Sequence, residues 1–349
     1  MASRNGCRTR LAPCVLALAM VLMLAGPPPV AYAGGSPENA VIIIDPRRPE
    51  SLYIGNYYRN ARNIPDRNVL YFEPLPASFA QFAEVHIPGL LGELHGRRTS
   101  PHVDYVVIMP TINFFFDAPG LVTWTCSPIS RFSFSGAYSM AFITDEVLAG
   151  TTQSNANRYF QTTNDPNQTR FFSSNIKYAS GQPSSASTAR RYFIGAMIGY
   201  AGPNGNTLQE IKDMIDRSVA VDGTHPSGTF YFMNNTADPP RNVRAAQYAG
   251  VLTPLTGPLG ASATQIVGAL PAGQQNCLGI LTGFSDADIA GAGMNILPGA
   301  FCDHLTSFAA TFDISAQTKA SQWIRNGASG SYGTVQEPCN FTQKFPHTR

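Results

Sequence analysis

Residues 41–72 read VIIIDPRRPESLYIGNYYRNARNIPDRNVLYF. Val41 to Ile44 is a short, wholly apolar, β-branched run closed by Asp45 and Pro46, the pattern of a strand buried on both faces. Ser51 is placed to cap the helix that follows. Leu52, Ile54, Tyr57 and Tyr58 share one face of that helix, and Ile64-Pro65 ends it. Asn68 to Phe72 reads as a second strand, Phe79 to His95 as a second helix, and Asp104 to Met109 as a third strand. Strand, helix, strand, helix, strand is the order of a parallel sheet covered by helices on both faces, so the expected class is α/β.

Upstream, Arg4, Arg8 and Arg10 precede an uncharged apolar stretch from Leu11 to Gly26, and Ala31-Tyr32-Ala33 supplies a small-x-small cleavage site. This is the pattern of a cleaved secretory signal over residues 1–33, with a secreted or periplasmic mature protein. The apolar stretch is shorter than the roughly 20 residues that span a bilayer, and no later segment reads as a membrane span. With 24 Lys and Arg against 22 Asp and Glu, and no long like-charge run, nothing points to a nucleic-acid partner. Cys7 and Cys14 belong to the signal, leaving Cys126, Cys277, Cys302 and Cys339. In an oxidising compartment these four permit two disulfides in any of three pairings, and no C-x-x-C zinc spacing is present.

Downstream of Pro110 the periodicity fades. Polar residues crowd between Phe114-Phe115-Phe116 and Phe132-Ser133-Phe134, which suggests an insertion at about residues 111–190 with short elements of its own, covering the sheet or its edge. The α/β rhythm resumes at Tyr192 to Gly199. Thr207 then caps a helix carrying Leu208, Ile211, Met214, Ile215 and Val219 at helical spacing. Thr229 to Met233, Ala263 to Val267, Cys277 to Phe284 and Met294 to Leu297 continue the run of apolar segments. The expectation is a single α/β domain over residues 34–349.

Ligands of parallel α/β sheets usually sit beyond the carboxyl ends of the strands, which singles out Asp45, Asn234, Asn235, Ser285, Asp286 and the Cys302-Asp303-His304 triplet. Cys302 could act as a nucleophile, given a histidine to take its proton; His304 and the loop residue His225 are the candidates. Asp303 and His304 could instead bind a divalent metal with Asp286, Asp288, Glu337 or His347. The bland alternatives are a core or disulfide-bonded Cys302 and a structural Asp303-His304 pair. Gly327 reads as a helix C-cap, and the glycines after it let the backbone pass close to something bulky. This run is no phosphate loop, lacking a Gly-Lys-Ser/Thr ending and leading out of a helix, and no cofactor is implied. Glu337 can be a general base, a ligand or a salt-bridge partner. His86, His95 and His102 lie on or after a surface helix and read as solvated rather than functional.

Pro298-Gly299-Ala300-Phe301-Cys302-Asp303-His304, Gly327-Ala328-Ser329-Gly330-Ser331-Tyr332-Gly333-Thr334-Val335 with Glu337-Pro338-Cys339-Asn340, and Lys344-Phe345-Pro346 resemble the C-terminal signature of an uncharacterised family of secreted bacterial proteins. Ile54 to Val69 resembles that family's opening unit. The family is in turn distantly similar to the gingipain and caspase-like fold. That resemblance implies a three-layer sandwich with Cys302 near the nucleophile's place. The strand matching the histidine strand, Cys277 to Gly283, ends in Thr282-Gly283, so another histidine would have to serve. The resemblance also implies a further helix and strand beyond His347. Three functions follow as expectations: a hydrolase-like enzyme using Cys302, Asp303, His304, Glu337 and His225; a non-catalytic extracellular binding or structural protein; and a metal-dependent hydrolase.

Overall fold

The computed structural model describes residues 35–72, 76–121, 128–153, 158–159, 172–257 and 260–337. Cys126, Cys339 and His347, and the expected signal over 1–33, lie outside them. The chain is mixed α/β, with helices on both faces of parallel sheets, but its eight parallel strands form two sheets of four.

The first sheet runs in the order β2-β1-β3-β8, all parallel. Its strands are β1 (Ala40–Ile44), β2 (Val69–Tyr71), β3 (Tyr105–Ile108) and β8 (Ile194–Met197). Side chains alternate across it as the strand period requires. Val41, Ile43, Val106 and Ile108 enter one core, while Ile42, Ile44 and Val107 enter another. Helix α1 (Pro49–Ala61) covers the second of these faces through Ile54. Ser51 does not cap it. Arg48 occupies the cap position without a side-chain bond, and the Ser51 hydroxyl instead receives the backbone N–H of Asp45 at 3.0 Å.

The other face is covered from two places. One is a helical stretch of Phe79–Gln81, a π-helical turn over Phe82–His86, and α2 (Ile87–Gly96). The second is the segment between β3 and β8, which holds the hairpin β4 (Phe115–Leu121) and β5 (Ile129–Ser133), helices α3 (Phe134–Ser139) and α4 (Thr144–Leu148), and the small hairpin β6 (Tyr178–Ala179) and β7 (Gln182–Pro183). Helix α3 lies directly on β8: a Cβ built on Gly195 would meet the Ser135 carbonyl oxygen at 2.1 Å.

Helix α5 (Leu208–Val219) carries the chain onward, started by a capping box in which Thr207 and Glu210 bond each other's backbone N–H. It packs against α1, with Tyr57 hydrogen-bonded to Asp216 and Arg62 paired with Asp222. The second sheet follows, with β9 (Thr229–Asn234), helix α6 (Ala245–Thr256), β10 (Ser262–Val267), β11 (Cys277–Thr282), β12 (Ile296–His304) and helix α7 (Ala320–Arg325). Its order is β10-β9-β11-β12, again all parallel. Tyr231, Ile280, Ala300 and Cys302 face the core that also holds Ile42, Ile44 and Trp323, so one hydrophobic core is shared between the two sheets. Phe232, with Phe230 and Leu281, faces the opposite way, under Tyr248 and Val251 of α6.

Candidate functional site

Residues 302–304 are the last three of β12 rather than a loop beyond it, and strand alternation sends them to different environments. In register, Ile280 opposes Cys302, Leu281 opposes Asp303 and Thr282 opposes His304. The glycine run closes the other edge of β12. Cys302 N donates to Gly330 O at 3.1 Å and Ser329 N to Ala300 O at 2.8 Å, so the strand end is held from both sides. Gly327 follows α7 with φ +114°, the left-handed region a C-terminal glycine accepts without strain. A Cβ on Gly333 would stand 2.7 Å from the Ala310 nitrogen, so the backbone contact expected of this run is real.

Cys302 is fully buried in the shared core and is a free thiol, as is Cys277. Burial pushes the Cys302 thiol well above its ordinary value, with Cys277 and Asp303 adding to the rise. Burial likewise pushes Cys277 up to about 11. A reactive thiolate requires the opposite environment, one that is partly exposed and electropositive.

His304, 2 % exposed, has both ring nitrogens engaged. Trp323 Nε1 donates to its Nδ1 at 2.8 Å, and its Nε2 faces the Thr318 carbonyl at 2.8 Å. An indole N–H can only donate and a carbonyl can only accept, so these partners select the neutral tautomer with the proton on Nε2. Burial lowers its pKa, opposed in part by the Thr318 carbonyl. Protonating Nδ1 would set two N–H groups against each other. In this arrangement neither ring nitrogen of His304 is left to accept the Cys302 thiol proton.

Asp303 points to the opposite face and meets Arg244 in a two-point pair, Nη1 to Oδ2 at 3.0 Å and Nη2 to Oδ1 at 2.7 Å, with both side chains 1 % exposed. Arg244 Nη2 also donates to the Thr282 carbonyl at 2.9 Å. Breaking a buried pair of this kind costs about 3–5 kcal/mol, because one charge is left without its partner. The phenol of Tyr332 lies within electrostatic reach of Asp303, Arg244 and Glu337, and burial raises its pKa.

The remaining candidates lie elsewhere. His225 is exposed and precedes β9, which places it at the amino end of the second sheet, opposite the carboxyl end that carries residues 302–304. Asp45 ends β1 in the first sheet, is 6 % exposed, and accepts the Arg47 N–H at 3.0 Å. Asp286 and Asp288 are exposed, and Asp288 holds the Gly291 N–H at 2.8 Å. Among the described residues no group of three His, Cys, Asp or Glu side chains comes together to hold a metal ion.

Arg244, Trp323, Thr318 and Tyr332 complete the knot, and sequence reading missed all four. One signal was available for Arg244. A carboxylate at the end of an apolar strand needs a cation if it is buried, and Arg244 is the last charge before a long neutral stretch. Comparison of the chain with protein-family models, with curated proteins and with solved structures finds no match in any of the three.

Proposed function

We propose that the chain is an exported, non-catalytic α/β protein with a binding or structural role, in which Cys302, Asp303 and His304 lock the end of β12 rather than perform hydrolysis. The commitment of both His304 nitrogens, to Trp323 and to the Thr318 carbonyl, carries this reading. A cysteine hydrolase needs a base within hydrogen-bond reach of the thiol and a path for substrate to the sulfur. The fully buried Cys302 offers neither. Export rests on the basic, apolar and small-residue pattern of residues 1–33.

The test is a side-by-side assay of the purified protein and Cys302→Ala against ester and peptide substrates, with thermal unfolding of both. The reading predicts no turnover that depends on the thiol. Hydrolysis by the wild type that vanishes in a Cys302→Ala protein of unchanged Tm would overturn it.

A further inference from the structure

A parallel sheet has two outer edges, and an uncovered edge is a template for another strand. Among the described residues, three of the four edges receive hydrogen bonds from other segments. At β2, Arg97 Nη1 donates to the Val69 carbonyl at 2.9 Å. At β8, the Ser139 hydroxyl accepts the Gly195 N–H at 3.0 Å and the Ser139 carbonyl accepts the Phe193 N–H at 3.1 Å. At β12, the glycine run bonds to Cys302 and Ala300. The fourth edge, β10, pairs with β9 alone among the described residues.

The outward-facing groups on β10 can be named; of these, the Gln265 carbonyl accepts the Thr264 hydroxyl at 3.5 Å. Gly268 N donates to Asn234 O at 3.2 Å, and bonding direction alternates along a strand. The even-numbered residues therefore bond to β9, and the N–H and C=O groups of Ala263, Gln265 and Val267 point outward. The strand reads SATQIV and keeps an unbroken register with β9. It contains no lysine, proline or bulge, the devices that usually blunt an edge. Val267 is 74 % exposed.

The surface around this edge is unusual in charge. From Ala245 to Ser285 the chain has no charged residue, and this run supplies α6, β10 and β11. Ala246, Ala249 and Thr253 on α6, with Ser262, Gln265 and Val267 on β10, are all exposed. Protein surfaces normally carry about a quarter to a third charged residues. Among these residues a charged partner finds nothing to pair with. A second copy of the same surface meets no like-charge repulsion, and its own strand edge supplies the missing donors and acceptors.

We infer that β10 is the interface of a symmetric homodimer, in which β10 of two copies pair antiparallel about a twofold axis and join the two β10-β9-β11-β12 sheets into one continuous sheet. With Gln265 on the axis, Ala263 of one copy opposes Val267 of the other. Each outward N–H then finds an outward carbonyl.

Analytical ultracentrifugation of the purified protein across the micromolar range tests this. The wild type is expected to sediment as a dimer. Val267→Lys, which adds one charge to each side of the twofold, and Gln265→Pro, which removes an outward N–H without touching the bonds to β9, are each expected to weaken dimerisation by at least about tenfold. Circular dichroism and Tm report whether each variant is folded. Hydrogen exchange of the wild type needs no variant: the amides of Ala263, Gln265 and Val267 should gain protection as concentration rises. A wild-type protein that stays monomeric throughout overturns the inference, even if its edge binds a foreign strand. A dimer whose three amides exchange at a concentration-independent rate overturns it as well.

Discussion

Two buried histidines occupy the two halves of the molecule, and they show how differently the same side chain is held. His86 sits in the π-helical turn of the first half, 7 % exposed, stacked with Phe82 and hydrogen-bonded through Nε2 to the Tyr138 hydroxyl at 2.7 Å. A hydroxyl can donate or accept, so this partner leaves the tautomer open, and burial alone lowers the His86 pKa to about 4. His304, in the second half, stands between a pure donor and a pure acceptor that fix its tautomer. Neither ring is a base in waiting. Proximity to Cys302 and Asp303 in sequence suggested chemistry for His304, and a helical setting suggested solvent for His86. Burial and partners override both suggestions.

The largest effect that separates the second half from the first belongs to the ion pair beside His304. Asp303→Ala leaves Arg244 buried without a counter-charge and is expected to lower stability by about 3–5 kcal/mol, read by urea unfolding. Pairing it with Arg244→Met should recover much of that loss. A single variant that unfolds at the wild-type midpoint would show that the pair contributes nothing.

The next largest concerns His86 and pH. Its folded pKa lies below the ordinary 6.5, so the unfolded state binds the extra proton first as pH falls. The stabilisation from keeping it neutral is complete above pH 6.5 and is lost progressively down to about pH 4, a difference on the order of 3 kcal/mol. Burial lowers the pKa of His304 too, so it acts in the same direction. Unfolding midpoints between pH 7 and 4 should fall less steeply for His86→Phe than for the wild type. Parallel slopes would remove His86 from the account.

The smallest is Trp323→Phe, which keeps an aromatic ring but deletes the donor to His304 Nδ1. The expected loss is about 1–3 kcal/mol, with the His304 ring becoming easier to protonate. A thermal scan measures the first effect, and the imidazole nitrogen shifts in an NMR titration measure the second.

Much of the local structure was legible in the residues. Val41 to Ile44 did announce a strand buried on both faces, Thr207 a cap, and Gly327 a helix end, because each depends on neighbours within a few positions. The division of the strands into two sheets was not legible. Apolar runs identify strands but not which strands lie side by side. His86 lies seven residues after Phe79 and four after Phe82, on the buried face of its helix, so its burial follows from helical spacing that its polar ring obscured. At the candidate site, the triplet was expected beyond a strand's carboxyl end and instead forms the last three residues of β12, and its meaning rests on distant residues. Arg244 lies 59 positions from Asp303, and no local pattern links them. Trp323 is closer in sequence to His304, but it arrives on a separate helix.

Alkylation resolved by mass spectrometry tests directly whether Cys302 is core or reagent. In the native protein at neutral pH, Cys302 and Cys277 should both resist iodoacetamide, and both should react fully after denaturation. Native labelling of Cys302 faster than that of an unstructured thiol would contradict the account, because it would require an exposed thiolate where the structure places a fully buried sulfur whose ionisation burial disfavours.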